Sequence, residues 1–184
     1  MNAYLNGDYL ALADAKISVL DRGFVFGDGV YELVPVYSNK PFRLDEHLRR
    51  LQGSLDGIRL ANPHDAAGWR ERILKLVALQ DFADQSLYIQ VTRGTPAAGQ
   101  ALRDHAFPKD VAPTVFMFTQ PLVTATPAQK AAGVGAVTAV DNRWLRCNIK
   151  AISLLANILL RQQAVDADCA ETLMLRDGFL TEGA

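Results

Sequence analysis

In the stretch Asp21-Arg22-Gly23-Phe24-Val25-Phe26-Gly27-Asp28-Gly29-Val30-Tyr31-Glu32-Leu33-Val34-Pro35-Val36-Tyr37, a glycine-rich run gives way to β-branched and aromatic residues. Glycine accepts positive φ, so residues 22–29 can turn sharply. Residues 30–37 instead suit the pleated surface of a strand, and Ser38-Asn39-Lys40-Pro41 supplies the next turn. Upstream, Asn6-Gly7 lies between Tyr4-Leu5 and Tyr9-Leu10, a hairpin signal because both turn positions must tolerate positive φ.

Downstream, Asp45 is placed to cap a helix running to residue 57, with Leu48, Leu51, Leu55 and Ile58 as its buried stripe. A second helix is expected over 66–79, with Trp69, Ile73, Leu76 and Val77 inward. Leu87, Ile89 and Val91 alternate with Tyr88, Gln90 and Thr92, the two-residue period of a strand. Residues 94–113 have no period and read as a long loop; loops of that length are usually functional or disordered. A strand at 115–118 follows, then a linker at 121–130, a strand at 134–140, a helix over 151–165 and a strand at 171–175. Asp177-Gly178 turns that strand into Phe179-Leu180-Thr181. The pattern predicts an α+β protein with a small domain at 1–120, a linker at 121–130 and the start of another domain at 131–184.

Composition narrows the classes of function. The chain is 49% hydrophobic and 21% charged with a net charge of −1, so it can bury a core and has no general attraction for nucleic acid or anionic lipid. Cys147 and Cys169 are too far apart for a CxxC redox or zinc motif, and no metal site is expected. Met1-Asn2-Ala3-Tyr4-Leu5-Asn6-Gly7-Asp8 lacks the charged start and apolar run of a signal peptide, and no apolar run is long enough to span a membrane. A soluble, cytoplasmic protein is expected.

Several residues invite chemistry. Lys150 stands in a neutral, apolar context, Cys147-Asn148-Ile149-Lys150-Ala151-Ile152-Ser153-Leu154-Leu155. Burial without a paired anion favours the neutral amine that Schiff-base formation needs. The same context also suits a lysine that snorkels from the first turn of a helix. His47 and Arg50 share a helix face, where arginine can grip a phosphate through two donors or simply meet solvent. Glu182 follows the Asp-Gly turn on a strand expected to be half-buried, so its carboxylate needs a partner, either a protonated ring nitrogen or an arginine. Arg103-Asp104-His105 lies in the long loop, where its donors can hold a substrate carboxylate or stay solvated. Each feature alone is weak; their combination and order are not.

Taken together, the segments resemble the class IV, or fold type IV, aminotransferases along essentially the whole chain. Asp21 to Glu32 looks like the family's RG-x-x-FGDGVYE segment, and His47-Leu48-Arg49-Arg50-Leu51 like its H-x-x-RL helix. Lys150-Ala151 resembles the stretch with the catalytic lysine, and Leu180-Thr181-Glu182-Gly183-Ala184 the T-E-G segment. The resemblance implies pyridoxal 5′-phosphate as cofactor, held by Lys150 as a Schiff base, by Arg50 at the phosphate and by Glu182 at the pyridine nitrogen. It implies ping-pong transfer of an amino group between an amino acid and a 2-oxo acid. Arg103 and His105 resemble the R-x-H pair with which D-amino-acid transaminases hold the substrate carboxylate from the neighbouring subunit, joined by Tyr31 from its own. A homodimer, with D-alanine and 2-oxoglutarate as first substrates, is therefore expected.

Branched-chain L-amino-acid transaminases and aminodeoxychorismate lyases share the fold and are the alternatives, with a non-catalytic oligomeric protein beyond them. Residues 95–102 make the approach to Arg103 longer than the family pattern. Family members continue well past the T-E-G segment, so the chain is expected to be a fragment with an incomplete large domain, its own activity in doubt.

Overall fold

Asn6 and Gly7 both take positive φ, 50° and 115°, and turn strand β1 (Asn2–Leu5) into β2 (Asp8–Ala11). The computed structural model describes residues 1–184, which divide into two units. One is Met1–Val123 with Asn148–Ser153; the other is Thr124–Cys147 with Leu154–Ala184. The six residues from Asn148, expected with the later domain, thus belong to the first unit.

The glycine-rich run is more ordered than its composition suggests. Residues Arg22–Phe26 form a short helix, α1, because Asp21 accepts a hydrogen bond from the Gly23 amide at 2.7 Å and Gly27 ends it in the left-handed region at φ 69°. Strand β3 (Gly29–Tyr37) follows, then the short β4 (Lys40–Pro41) and helix α2 (Leu44–Gly57). Asp45 does not cap α2: Arg43, at φ 51°, is the capping residue, and Asp45 sits in the first turn paired with Arg70. Helix α3 (Ala66–Ala78) is capped by Asp65, and strands β5 (Gln85–Thr92) and β6 (Thr114–Pro121) flank the long loop.

These strands form one antiparallel six-stranded sheet in the order β2-β1-β6-β5-β3-β4. Alternation along the strands gives the sheet two distinct faces. Val30, Val34 and Val36 of β3 and Leu87, Ile89 and Val91 of β5 share the core with Leu48, Leu51 and Leu55 of α2 and Trp69, Ile73, Leu76 and Val77 of α3. Tyr31, Tyr88, Phe116 and Phe118 alternate with those inward residues and lie on the opposite face. Ile149 also joins the core; a Cβ on Gly57 would stand 2.8 Å from its Cγ1, so the glycine makes room for it.

The second unit opens with helix α4 (Pro127–Ala132), started by a capping box between Thr126 and Gln129 and overlapping the end of the stretch expected to be a linker. Strand β7 (Ala136–Val140) pairs in parallel with β8 (Glu171–Arg176), and helix α5 (Leu155–Asp166) lies between them in sequence. Asp177 and Gly178, both at positive φ, turn β8 into antiparallel β9 (Phe179–Gly183). Helix α5 starts at Leu155 rather than 151, because residues 150–152 are held extended against β3, the Lys150 carbonyl taken by the Tyr31 amide and the Ile152 amide by the Gly29 carbonyl. No helix is long and apolar enough to cross a membrane.

Candidate active site

Lys150 is held by backbone pairing along the edge of β3. The Tyr31 amide donates to the Lys150 carbonyl at 2.9 Å, the Ile152 amide donates to Gly29 at 3.1 Å, and Ala151 bridges Val30. The Lys150 amide donates to the hydroxyl of buried Ser54 on α2 at 3.1 Å. This extended strip, not a helical first turn, delivers the amine to Tyr31, with Nζ 4.1 Å from the ring centroid. The amine is half-buried and enters no ion pair; the aromatic face is the cation's partner.

Tyr31 stacks on Tyr88, centroids 5.8 Å apart, and Tyr88 leans on Phe118 at 5.3 Å. Burial, with Tyr31 alongside, pushes the Tyr88 hydroxyl up to about 12. That hydroxyl donates to Gln90 Oε1 at 2.8 Å. Gln90, Thr92, Thr114 and Phe116 help line a cleft of about 280 Å³ on this face.

Glu32, the next residue on β3, faces the helices and is fully buried. Arg50 answers it with two hydrogen bonds, Nε to Oε1 at 2.6 Å and Nη2 to Oε2 at 2.7 Å, and His47 Nδ1 lies 2.9 Å from Oε2. The shared hydrogen bonds make Arg50 a stronger base than usual. Its side chain is 52% exposed, so the fork has one end on Glu32 and the other open. Tyr31 and Glu32 thus place an amine and a guanidinium beside adjacent residues of one strand.

Arg103 and His105 are exposed on the long loop, both against Phe26 of α1. The His105 ring meets Phe26 edge-on at 5.6 Å, and the Arg103 guanidinium lies 5.5 Å from the same ring. Gly94 closes the base of the loop at φ 90°; a Cβ there would stand 2.0 Å from the Ala112 carbonyl oxygen.

Glu182 lies in the second unit on β9, all five residues of which are exposed rather than half-buried as expected, since β9 is the edge strand of its sheet. Its partner is an arginine: Arg143 Nη1 pairs with Glu182 Oε1. Arg143 is itself fixed by buried Asp141, Nε to Oδ1 and Nη2 to Oδ2 at 2.9 Å each. Asp141 also takes the Thr181 hydroxyl at 2.8 Å and an ion pair from Arg176 at 3.0 Å. The Arg143 hydrogen bonds hold the Asp141 carboxyl well below the usual carboxylate range.

The sequence alone did not mark Asp141, Arg143 and Glu32 as parts of these clusters. Asp141-Asn142-Arg143 offered a signal, two opposite charges placed two apart at a strand end just before Lys150. Glu32 offered another, a carboxylate in register with Val30, Val34 and Val36.

The sequence model of the family described as "Amino-transferase class IV" matches residues 29–184. The chain belongs to the class IV aminotransferases. It is 37% identical over 183 residues to a D-alanine aminotransferase of Bacillus licheniformis, a match covering 100% of the chain and 62% of that relative. The chain therefore spans 62% of the length of that curated relative. Among solved structures it resembles a hypothetical aminotransferase from Mycobacterium tuberculosis with α-ketoglutarate and PMP bound, with a TM-score of 0.82 and 22% identity over 100% of the chain and 65% of that protein. It also resembles the 4-amino-4-deoxychorismate lyase of Pseudomonas aeruginosa, with a TM-score of 0.76 and 27% identity over 98% and 64%.

Pyridoxal 5′-phosphate is the cofactor of this family. The donors of the first unit fit that group: an amine outside any ion pair suits an aldehyde, and an arginine with an open end suits a phosphate.

Proposed function

We propose that this chain takes part in pyridoxal-phosphate-dependent transamination of a D-amino acid, D-alanine first, with a 2-oxo acid such as 2-oxoglutarate. The observation that carries this reading is the Lys150 amine, poised 4.1 Å from the Tyr31 ring without a carboxylate to neutralise it. The 37% identity to a D-alanine aminotransferase supports the substrate class.

When bound, the cofactor supplies an aldehyde that joins an amine and a ring that accepts the electron pair left at the substrate Cα. Lys150 would hold the aldehyde end of the cofactor, and its amine would take the proton from the substrate Cα and return it to the carbon beside the ring. Its backbone pairing to β3 keeps the amine in register for this task. Arg50 binds the phosphate with the part of its guanidinium that Glu32 leaves open. Glu182 would keep a proton on the ring nitrogen, its own carboxylate kept in place by Arg143. Tyr31, Arg103 and His105 hold the substrate carboxylate, the last two from a neighbouring copy of the chain in a homodimer.

Borohydride reduction with pyridoxal phosphate, followed by peptide mapping, tests the reading. A pyridoxyl adduct confined to Lys150, absent from Lys150→Ala, is expected. Scattered or absent labelling, repeated in a chain extended to the length of its relatives, would overturn it. Amino transfer from D-alanine to 2-oxoglutarate separates transamination from release of pyruvate by a lyase on this fold.

A further inference from the structure

The 94–113 loop carries no helix or strand, and most of residues 97–110 are exposed, yet the loop is tied down at its centre. The ties converge on Asp28. Its Oδ2 accepts from Arg22 Nε and from Arg93 Nε, each at 2.8 Å, and its Oδ1 accepts from Arg93 Nη2 at 3.1 Å. With Nε so fixed, the planar Arg22 guanidinium aims Nη1 at the Asp104 carbonyl, 2.7 Å away, and Nη2 at the His105 carbonyl, 3.5 Å away. Arg93 works on the next turn, its guanidinium 3.8 Å from the centre of the Phe107 ring. Phe26 completes the clamp: the Arg22 guanidinium lies 4.7 Å from its ring, which also touches His105 and Arg103.

We propose that Asp28 is a positioning residue which, through Arg22 and Arg93, fastens this loop and so sets where Arg103 and His105 stand. The link to substrate rests on the reading that those two residues hold the substrate carboxylate. The charges support a clamp over generic packing. Two guanidiniums, both about 5% exposed, share one carboxylate, and the surplus positive charge meets loop carbonyls and aromatic rings. Ordinary loop packing needs no charge in excess.

The test compares the unaltered chain with Arg22→Lys and Asp28→Asn. Lysine keeps the charge beside Asp28 but lacks the fork that reaches Asp104 and Asp28 together. In the cofactor-free chain, amides at 103–107 are expected to exchange about tenfold faster in Arg22→Lys, the factor that one lost charge-assisted hydrogen bond carries. Exchange in β5 and β6 should not change. In transamination, the KM for the D-amino acid should rise about tenfold while kcat and the affinity for pyridoxal phosphate hold, the signature of weakened substrate binding. Unchanged exchange at 103–107 in Arg22→Lys would overturn the proposal, whether or not Asp28→Asn folds. Faster exchange with an unaltered KM would leave the clamp standing and count against Arg103 and His105 as the carboxylate's holders.

Discussion

Glu32 shows how one buried carboxylate shapes its surroundings. It is inaccessible to solvent, and its two oxygens are taken by Arg50 and His47. Glu32→Gln keeps the shape but replaces one acceptor oxygen with an NH2 group that faces a donor of Arg50. The expected cost is about 1–3 kcal/mol of stability, measured by urea unfolding, because a buried polar group loses its partner. The same change should loosen Arg50 and weaken binding of pyridoxal phosphate, which fluorescence titration would read. Tyr88 makes a second prediction. Its hydroxyl is pushed from 10.0 to about 12 by burial, so the folded protein binds that proton more tightly than the unfolded chain. The resulting stability is fully present below pH 10 and is lost as the pH rises toward 12. Tyr88→Phe should flatten this alkaline fall in melting temperature; a fall of unchanged steepness would show that another group causes it.

Elements are set by a few backbone decisions. Helix α5 begins at Leu155 because the strip before it is recruited as an extended partner of β3. In the second unit, β7, β8 and β9 meet around Asp141, which joins the end of β7 to Arg143, Arg176 and Thr181. Asp141→Asn leaves nearly buried Arg143 without its main counterion. A loss of about 3–5 kcal/mol is expected, toward the lower figure because Glu182 still pairs with that arginine. Hydrogen exchange in β7 and β8 would report it, with β3 and β5 as internal controls. The Asp141 carboxyl is held below its ordinary value of 3.8 by Arg143, so the stability it brings is complete above that pH. That stability declines only as the pH falls below 3.8, and wild type and variant should converge in strong acid.

At the scale of the whole molecule, the two units differ in how well they cover themselves. The first has a continuous core of strand and helix residues, whereas buried apolar residues in the second reduce to Leu160, Ala164 and Met174. Leu155, Ile158 and Leu159 of α5 are 60–70% exposed, and Phe179 and Leu180 of β9 are exposed as well. Exposed apolar surface of this extent promotes association. The chain is expected to bind the dye ANS and to sediment as species heavier than its 20.1 kDa monomer, and Leu159→Lys with Phe179→Lys should reduce both. Monomeric sedimentation without dye binding would show that these residues are harmless in water.

Local patterns were enough for the hairpin at Asn6-Gly7, the stripes of α2 and α3 and the alternation of β5, because turn chemistry and periodic burial act over a few residues. The motifs around Arg50, Lys150 and Glu182 also sufficed to indicate the family, since a motif is a local string. Only the tertiary structure decided that residues 22–26 are a helix, that Lys150 rides an extended strip, that Arg50 answers Glu32 and that Glu182 answers Arg143. Those outcomes depend on which distant backbone amides and charges find each other. Lys150 and Tyr31 stand 119 positions apart in the chain, from 31 to 150, yet share one backbone hydrogen bond. No local propensity encodes such a pairing; it appears when folding brings a free strand edge and an unpaired segment together and both must satisfy their hydrogen bonds.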